Sequence, residues 1–216
     1  MNIDIQSFTH LVKNSKRSTE GLKTYRLAIM ADSASQFVAK AIKGTGIEYG
    51  VNYQIFEADY NQIDRQVFDF GSELYEFKPT CVLILRSTEK LIKQFYSLSK
   101  AGKITFAEQQ VTYTAELFNQ VSNSLGCSVI FNTFPETHDT VFGNFSSKTT
   151  LSFPFQIKKL NLGLMSLSQE KKNLFVLQLD SLMNRVGTVS GFDPKMYIGG
   201  DMVYSLDLLQ IGRAHV

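Results

Sequence analysis

Short apolar runs alternate with segments of helical spacing along the chain. Five runs have the length and continuous hydrophobicity of buried strands, at residues 25–31, 51–58, 80–85, 127–131 and 174–179. Apolar residues recur at helical spacing in the segments 33–49, 102–125 and 155–171. Buried strands separated by helices indicate a parallel sheet covered on both faces. We therefore predict an α/β fold, a three-layer sandwich around a five-stranded, mostly parallel sheet.

The two ends of the chain stand outside this pattern. Residues 1–21 are predicted as a lead-in with a helix over 5–12, and residues 22–210 as the α/β domain. A helix start over 204–209 is followed by residues 211–216, which break its apolar pattern and resemble a hexapeptide that a common sequencing adapter encodes. We expect this tail, with His215, to be non-native and the domain to be truncated at its C-terminus.

Composition and charge exclude several classes of protein. The 216 residues carry 22 Lys and Arg against 20 Asp and Glu, so a net charge of +2 provides no basic field for nucleic acid. No apolar run approaches the roughly 20 residues of a membrane span, and the N-terminus lacks a signal peptide, which favours a cytoplasmic protein. Cys81 and Cys127 lie in apolar runs and are expected to be buried thiols. Only three histidines are present, a small supply for general-base catalysis.

The carboxyl ends of the strands, where open α/β sheets bind ligands, carry the candidate chemistry. Asp32 and Ser33 follow the first strand at the start of a predicted helix. A serine at this position can be a nucleophile, because helix N-terminal N–H groups stabilise negative charge and can form an oxyanion hole. The alternative is that Asp32 or Ser33 only caps the helix, with Gln36 at the third helical position if Ser33 is the cap.

The segment 28–37, Ala-Ile-Met-Ala-Asp-Ser-Ala-Ser-Gln-Phe, resembles the first conserved block of the SGNH (GDSL-type) hydrolases, with Ala31 where that family has Gly. Further segments at 53–60, 72–79, 129–134 and 191–197 make the run from about 22 to 205 similar to the N-terminal domain of FkbH-like proteins of the HAD superfamily, subfamily IIIC. This resemblance implies an SGNH-like, flavodoxin-like sheet.

The resemblance also assigns roles to individual residues. Ser33 takes the position of the nucleophile, beside Asp32, and the N–H groups of Ser33 and Gly71 take those of the oxyanion donors. The Gly-x-Asn-Asp block is replaced by Leu-Arg-Ser-Thr at 85–88, which leaves Arg86, Ser87 and Asn132 as candidates to stand in for the missing amide donor.

The general base of that family is absent from its usual place. The Asp-x-x-His block falls on Asp193-Pro194-Lys195-Met196, and a methionine accepts no proton. His138, in the long polar loop after the fourth strand, is the only substitute, and its alternative is an ordinary exposed histidine. Loss of a triad member costs on the order of 10⁴ in rate.

For function, the resemblance implies a domain that serves acyl (glyceryl-type) transfer to an acyl carrier protein. In this interpretation the domain positions the carrier or a small acyl substrate without full hydrolase activity. The alternative is a serine esterase or acyltransferase that uses Ser33. We expect no cofactor in this chain, and a HAD domain in cis that binds magnesium.

Overall fold

A computed structural model describes residues 7–211 of the chain. Residues 1–6 and 212–216, with His215 and all but Ile211 of the predicted tail, lie outside the described residues. The strands are β1 (Lys23–Ala31), β2 (Val51–Glu57), β3 (Cys81–Leu85), β4 (Ser128–Asn132) and β5 (Leu174–Leu177). They form one parallel sheet in the order β2-β1-β3-β4-β5.

Twelve α-helices and one 3-10 helix of the described residues surround the sheet. The helices are α1 (Phe8–Asn14), α2 (Gln36–Glu48), α3 (Ile63–Phe68), α4 (Glu73–Phe77), α5 (Thr88–Ser97), α6 (Lys100–Ile104), α7 (Phe106–Leu125), the 3-10 helix (Gly143–Lys148), α8 (Phe153–Glu170), α9 (Leu179–Val186), α10 (Thr188–Gly191), α11 (Pro194–Gly200) and α12 (Leu206–Ile211).

Both faces of the sheet are buried, as the continuous apolar strands require. One set of alternating strand side chains, including Met30 and Ile84, packs on α3, α4, α7 and α8. The other set, including Ile29 and Leu83, packs on α2, α9 and α12. The predicted three-layer α/β sandwich is therefore confirmed.

The elements differ from the sequence prediction mainly at their ends. The helix expected from residue 33 begins at Gln36. The hydroxyl of Ser35, the residue before it, donates to Glu57 Oε1 (2.7 Å) and does not cap the helix. The helix expected over 102–125 is divided at Thr105 into α6 and α7. The segment between α9 and α12, for which the sequence pattern predicts no element, contains the two short helices α10 and α11.

Helix α1 packs against α2. Leu11 is fully buried and its backbone crosses α2 at Gly44. Cys127 is buried and Cys81 half-buried; both are free thiols, and burial raises the pKa of Cys81 to about 11. Within residues 7–211, no helix combines the length and apolar character that a membrane span needs.

The contact between α1 and α2 leads to a stability prediction. A Cβ atom at Gly44 would lie 2.1 Å from the carbonyl oxygen of Leu11, so Gly44→Ala must push the two helices apart. We expect a loss of about 1–3 kcal/mol in the free energy of unfolding, measured by urea denaturation.

Gly199→Ala is the matched control, since nothing lies within 4 Å of its added Cβ. Alanine there should be neutral or stabilising by up to about 1 kcal/mol. Equal midpoints for the two variants would contradict the close helix contact.

Candidate functional site

The order of the strands places the candidate site between β1 and β3. The chain leaves β1 for β2 on one side and later returns to β3 on the other, so the strand order reverses between these two strands. In open α/β sheets, ligands bind in the crevice outside the carboxyl ends of the strands at such a reversal. Asp32 and Arg86 are the first residues after the two strands and line this crevice.

Asp32 links the ends of β1 and β3. Its backbone N–H donates to the carbonyl of Leu85 (3.1 Å), and its Oδ2 accepts from the backbone N–H of Ser87 (2.8 Å). Its other carboxylate oxygen, Oδ1, is buried and has no partner within residues 7–211. Burial raises the pKa of the Asp32 carboxyl, against the opposing effects of the Ser87 hydrogen bond and the Arg86 charge.

Ser33 is buried and has no base beside it. The residue is 2% exposed, and its hydroxyl makes no hydrogen bond to any residue in the described part of the chain. The next N–H group, that of Ala34, donates to the carbonyl of Asp201 (3.0 Å) and is therefore not free for an oxyanion. The side chain of Ser33 does not cap α2, which begins three residues later.

The residues expected to activate Ser33 are engaged elsewhere or exposed. Asp193 caps α11, where its Oδ1 accepts from the N–H groups of Lys195 (2.9 Å) and Met196 (3.4 Å). His138 is exposed in the loop after β4, and within residues 7–211 no hydrogen bond connects it with Ser33. The structure therefore does not assemble a Ser-His-Asp arrangement from these residues.

Gly71 lies in the turn between α3 and α4. It is exposed, and its backbone N–H donates to Asp69 Oδ1 (2.9 Å). Because this N–H already has an acceptor, Gly71 is not a free oxyanion donor in this conformation.

Asn132 holds the main chain of Arg86. Its Oδ1 accepts from the Arg86 N–H (2.9 Å), and its Nδ2 donates to the carbonyls of Arg86 (3.0 Å) and Thr133 (2.8 Å). Both ends of the amide are thus used to fix the turn after β3. Ser87 caps α5, its Oγ accepting from the N–H of Lys90 (3.3 Å).

The side chain of Arg86 extends into the crevice. Its Nη2 donates to Gln110 Oε1 (2.6 Å), and its guanidinium lies 4.8 Å from the ring centroid of Tyr113. Its Nη1 is buried without a hydrogen-bond partner in the described residues. Burial lowers the pKa of this guanidinium, while the neighbouring Tyr113 and the charges of Asp32 and Asp64 act in the opposite direction.

Two residues beside Asp32 were missed by the sequence analysis. Glu89 Oε2 and the Tyr204 hydroxyl are buried without partners within residues 7–211, like Asp32 Oδ1. Burial raises the pKa of both groups, and the nearby Asp32 charge adds to it. Glu89 follows directly on the candidate segment after β3, so its position was readable from sequence. Tyr204 reaches the site from the far end of the chain, where no local pattern indicates it.

Two hollows open at this end of the sheet. The inner cavity has a volume of about 200 Å³ and is lined by residues of α3, α5 and α7 and of the two strand ends: Asp32, Asn61, Ile63, Asp64, Arg86, Lys90, Leu91, Gln94 and Tyr113. The outer hollow, of about 510 Å³, is lined by Tyr60, Lys93 and residues 197–201. In the described part of the chain, no three His, Cys, Asp or Glu side chains form a cluster able to hold a metal ion.

Comparison with known proteins identifies the family. The sequence model described as "FkbH, N-terminal domain" matches residues 26–214. The chain belongs to this family. Among curated proteins none matches the chain.

Solved structures agree with this assignment of the domain. The N-terminal part of protein BF1531 from Bacteroides fragilis, which contains a phosphatase domain complexed with Mg, superposes with a TM-score of 0.91 at 32% identity. The match covers 97% of the present chain but only 55% of that one, so the chain spans about half of its relative.

Two more distant structures show the same fold. A putative acylhydrolase (BF3764) from Bacteroides fragilis NCTC 9343 has a TM-score of 0.51, with 13% identity over 99% of this chain and 95% of that one. A catalytic mutant of Axe2, an acetylxylan esterase from Geobacillus stearothermophilus, has a TM-score of 0.53, with 11% identity over 89% of this chain and 92% of that one. The SGNH-like fold expected for an FkbH N-terminal domain is therefore present.

The raised pKa of Asp32 predicts how its substitution changes stability with pH. A carboxyl with a raised folded-state pKa destabilises the fold as the pH rises from its ordinary value of 3.8 through the raised value. Asp32→Asn removes this titration, so its free energy of unfolding relative to wild type should increase with pH across that window. Urea denaturation between pH 3.5 and pH 7 measures the difference.

Two further variants test the direction in which the free energy of unfolding changes with pH. Glu89→Gln should follow the same trend, because burial also raises the pKa of Glu89. Glu73→Gln should follow the opposite trend, because the hydrogen bond from Gln66 lowers the pKa of Glu73. If the free energy of unfolding of Asp32→Asn relative to wild type did not change with pH, the raised pKa of the buried Asp32 carboxyl would be contradicted.

Proposed function

We propose that this FkbH N-terminal domain positions a carrier protein or a small acyl substrate for acyl (glyceryl-type) transfer, and that it lacks full hydrolase activity of its own. The proposal includes a HAD-type phosphatase-like domain, of subfamily IIIC, in the same polypeptide and a cytoplasmic location. It is supported by the family membership and by the similarity to the BF1531 structure, which contains a phosphatase domain.

The observation that carries the proposal is the environment of Ser33. A serine hydroxyl needs a general base within hydrogen-bond reach to become a nucleophile at neutral pH. Within residues 7–211 no hydrogen bond joins a histidine to Ser33, and the Ala34 N–H donates to the carbonyl of Asp201. The loss of a base alone lowers hydrolysis by on the order of 10⁴.

Magnesium chemistry is assigned to the companion domain and not to this one. Magnesium is held by carboxylates and other oxygen ligands in octahedral geometry. The described residues contain no cluster of three carboxylate, His or Cys side chains. The proposal therefore routes no step through the ion in this domain.

The second candidate function, a serine esterase or acyltransferase, rests on the same turn. Ser33 follows the strand at the reversal of the sheet, and its own N–H has no acceptor within residues 7–211. Of the two backbone N–H groups expected as oxyanion donors, this one has no acceptor in the described residues, whereas that of Gly71 donates to Asp69. Glu89 is a further buried carboxylate near Asp32.

Hydrolysis of p-nitrophenyl acetate distinguishes the two functions. We expect the wild-type chain and Ser33→Ala to release p-nitrophenol at the same background rate, because no base activates the hydroxyl. Ser166→Ala, an exposed serine on α8, is the matched control. A wild-type rate more than tenfold above that of Ser33→Ala, with Ser166→Ala unchanged, would establish Ser33 as a nucleophile and remove the positioning-only proposal.

The carrier part of the proposal has its own test. Calorimetric titration of the chain with a phosphopantetheinyl carrier protein should show saturable binding in the micromolar range. The same carrier without its arm should bind at least tenfold more weakly, because the arm and not the carrier surface enters the crevice. Absence of binding at high micromolar concentration would exclude a carrier-positioning role.

A further inference from the structure

Strand β5 forms one edge of the sheet and leaves part of its main chain unpaired. It pairs with β4 on one side, and no strand within residues 7–211 pairs with it on the other. The carbonyl oxygens of Asn173 and Leu177 accept hydrogen bonds of 2.9 Å from main-chain N–H groups on the β4 side. Because main-chain groups alternate in direction along a strand, Val176 directs its N–H and its carbonyl away from β4. Neither group makes a hydrogen bond to another described residue.

The side chains of this edge are apolar and lack the usual protection of an edge strand. The four residues of β5, Leu-Phe-Val-Leu, include no charged residue, proline or glycine. Phe175 is 52% exposed, whereas Ile130 beside it on β4 and Leu177 on the same face pack on the core that α2, α9 and α12 cover. Proteins usually block an edge strand with a charge, a proline or a bulge. The edge of β5 is therefore open to pairing with another strand.

A second copy of β5 fits this edge in the antiparallel orientation. When the Val176 residues of two copies lie opposite each other, each N–H donates to the carbonyl of the other. In the same register Phe175 of each copy lies opposite Leu177 of the other copy. Directly opposite side chains have Cβ atoms about 4.5–5.5 Å apart on the same face of the sheet, so the exposed Phe175 ring gains an apolar neighbour.

Charges at the two ends of β5 favour this orientation. Lys171 and Lys172 precede the strand, and Asp180 follows it. In the register centred on Val176, the exposed Lys172 of one copy comes level with Asp180 of the other copy. A parallel pair would instead bring the lysines of both copies together, and like charges directly opposite each other are destabilising. The charges therefore select the antiparallel pair.

We propose that β5 pairs antiparallel with β5 of a second copy of this chain, about a two-fold axis at Val176, so that the two five-stranded sheets form one continuous sheet. A two-fold interface must be complementary to itself, and the main chain, the apolar pair and the charges of β5 all meet this condition. The inference does not depend on the proposed carrier-positioning function.

The size of the contact determines how strong the dimer is. A strand of four residues buries little area, and interfaces under about 1,200 Å² are usually weak. We therefore expect a dimer in reversible exchange with the monomer, populated at high protein concentration.

Sedimentation equilibrium of the unchanged 216-residue chain tests for this dimer. We expect the average mass to rise from the 24.4 kDa of the monomer toward twice that value as the concentration increases from the low micromolar to the millimolar range. A mass that stays at the monomer value over the whole range overturns the proposal.

Two substitutions locate the interface on β5. Val176→Pro removes the outward N–H and leaves the N–H groups that face β4 in place, and Phe175→Lys adds a charge to the edge. Each should raise the dissociation constant of the dimer at least tenfold. Phe145→Lys, at a 57% exposed phenylalanine of the 3-10 helix, is the control and should leave it unchanged.

The opposite results are equally clear. A dimer that persists unchanged in both β5 variants forms through another surface and overturns the proposal. If Val176→Pro does not fold, as judged by circular dichroism, Phe175→Lys still decides, because its side chain is exposed.

The orientation of the pair has its own test. Lys172→Glu should raise the dissociation constant about threefold or more, because two exposed ion pairs are lost, and the effect should shrink at high salt. Lys148→Glu, at an exposed lysine of the 3-10 helix, is the matched control. Equal dimerisation of the two variants overturns the antiparallel register.

Discussion

The hydrogen bond from the Ser87 N–H to the Asp32 carboxylate joins the ends of β1 and β3, the two strands between which the order of the sheet reverses. Two parallel strands need no side chain to pair, but their chains diverge after the last ladder bond. Asp32 keeps the two ends together past this point. The geometry of the crevice, and the direction in which Arg86 leaves the sheet, depend on this contact.

Burial of Asp32 has a cost that the surrounding residues offset only in part. One carboxylate oxygen is held by Ser87, while the other has no partner in the described residues. Glu89 and Tyr204, which interact electrostatically with Asp32, also have a buried oxygen without a partner there. Buried polar atoms are normally paired, and groups left unpaired are costly. A stability optimum would replace such a cluster with apolar side chains. The cluster lies at the carboxyl edge of the sheet, the edge at which open α/β folds bind their ligands.

The domain has the fold of two esterase-type structures, but within residues 7–211 the residues expected to form a catalytic triad are not brought together. The likeness to an acylhydrolase and an acetylxylan esterase is one of fold alone. Ser33 occupies the turn that the fold makes available to a nucleophile, yet Asp193 caps a helix and the Ala34 N–H is bound to Asp201. A fold supplies positions and not reactions, so function must be argued from the residues at those positions.

The sequence by itself determined the class of fold and the five strands, because strand burial and helical spacing are local patterns. The family came from the resemblance of short segments to FkbH-like proteins. The sequence also indicated the strand ends at Asp32 and Arg86, since polar residues directly after apolar runs are visible in the sequence. Tertiary structure alone decided which atoms there have partners. Asp201 and Tyr204 reach the turn at Asp32 and Ser33 from a distant part of the chain. These contacts depend on how distant segments pack, and no spacing of residues along the chain encodes them.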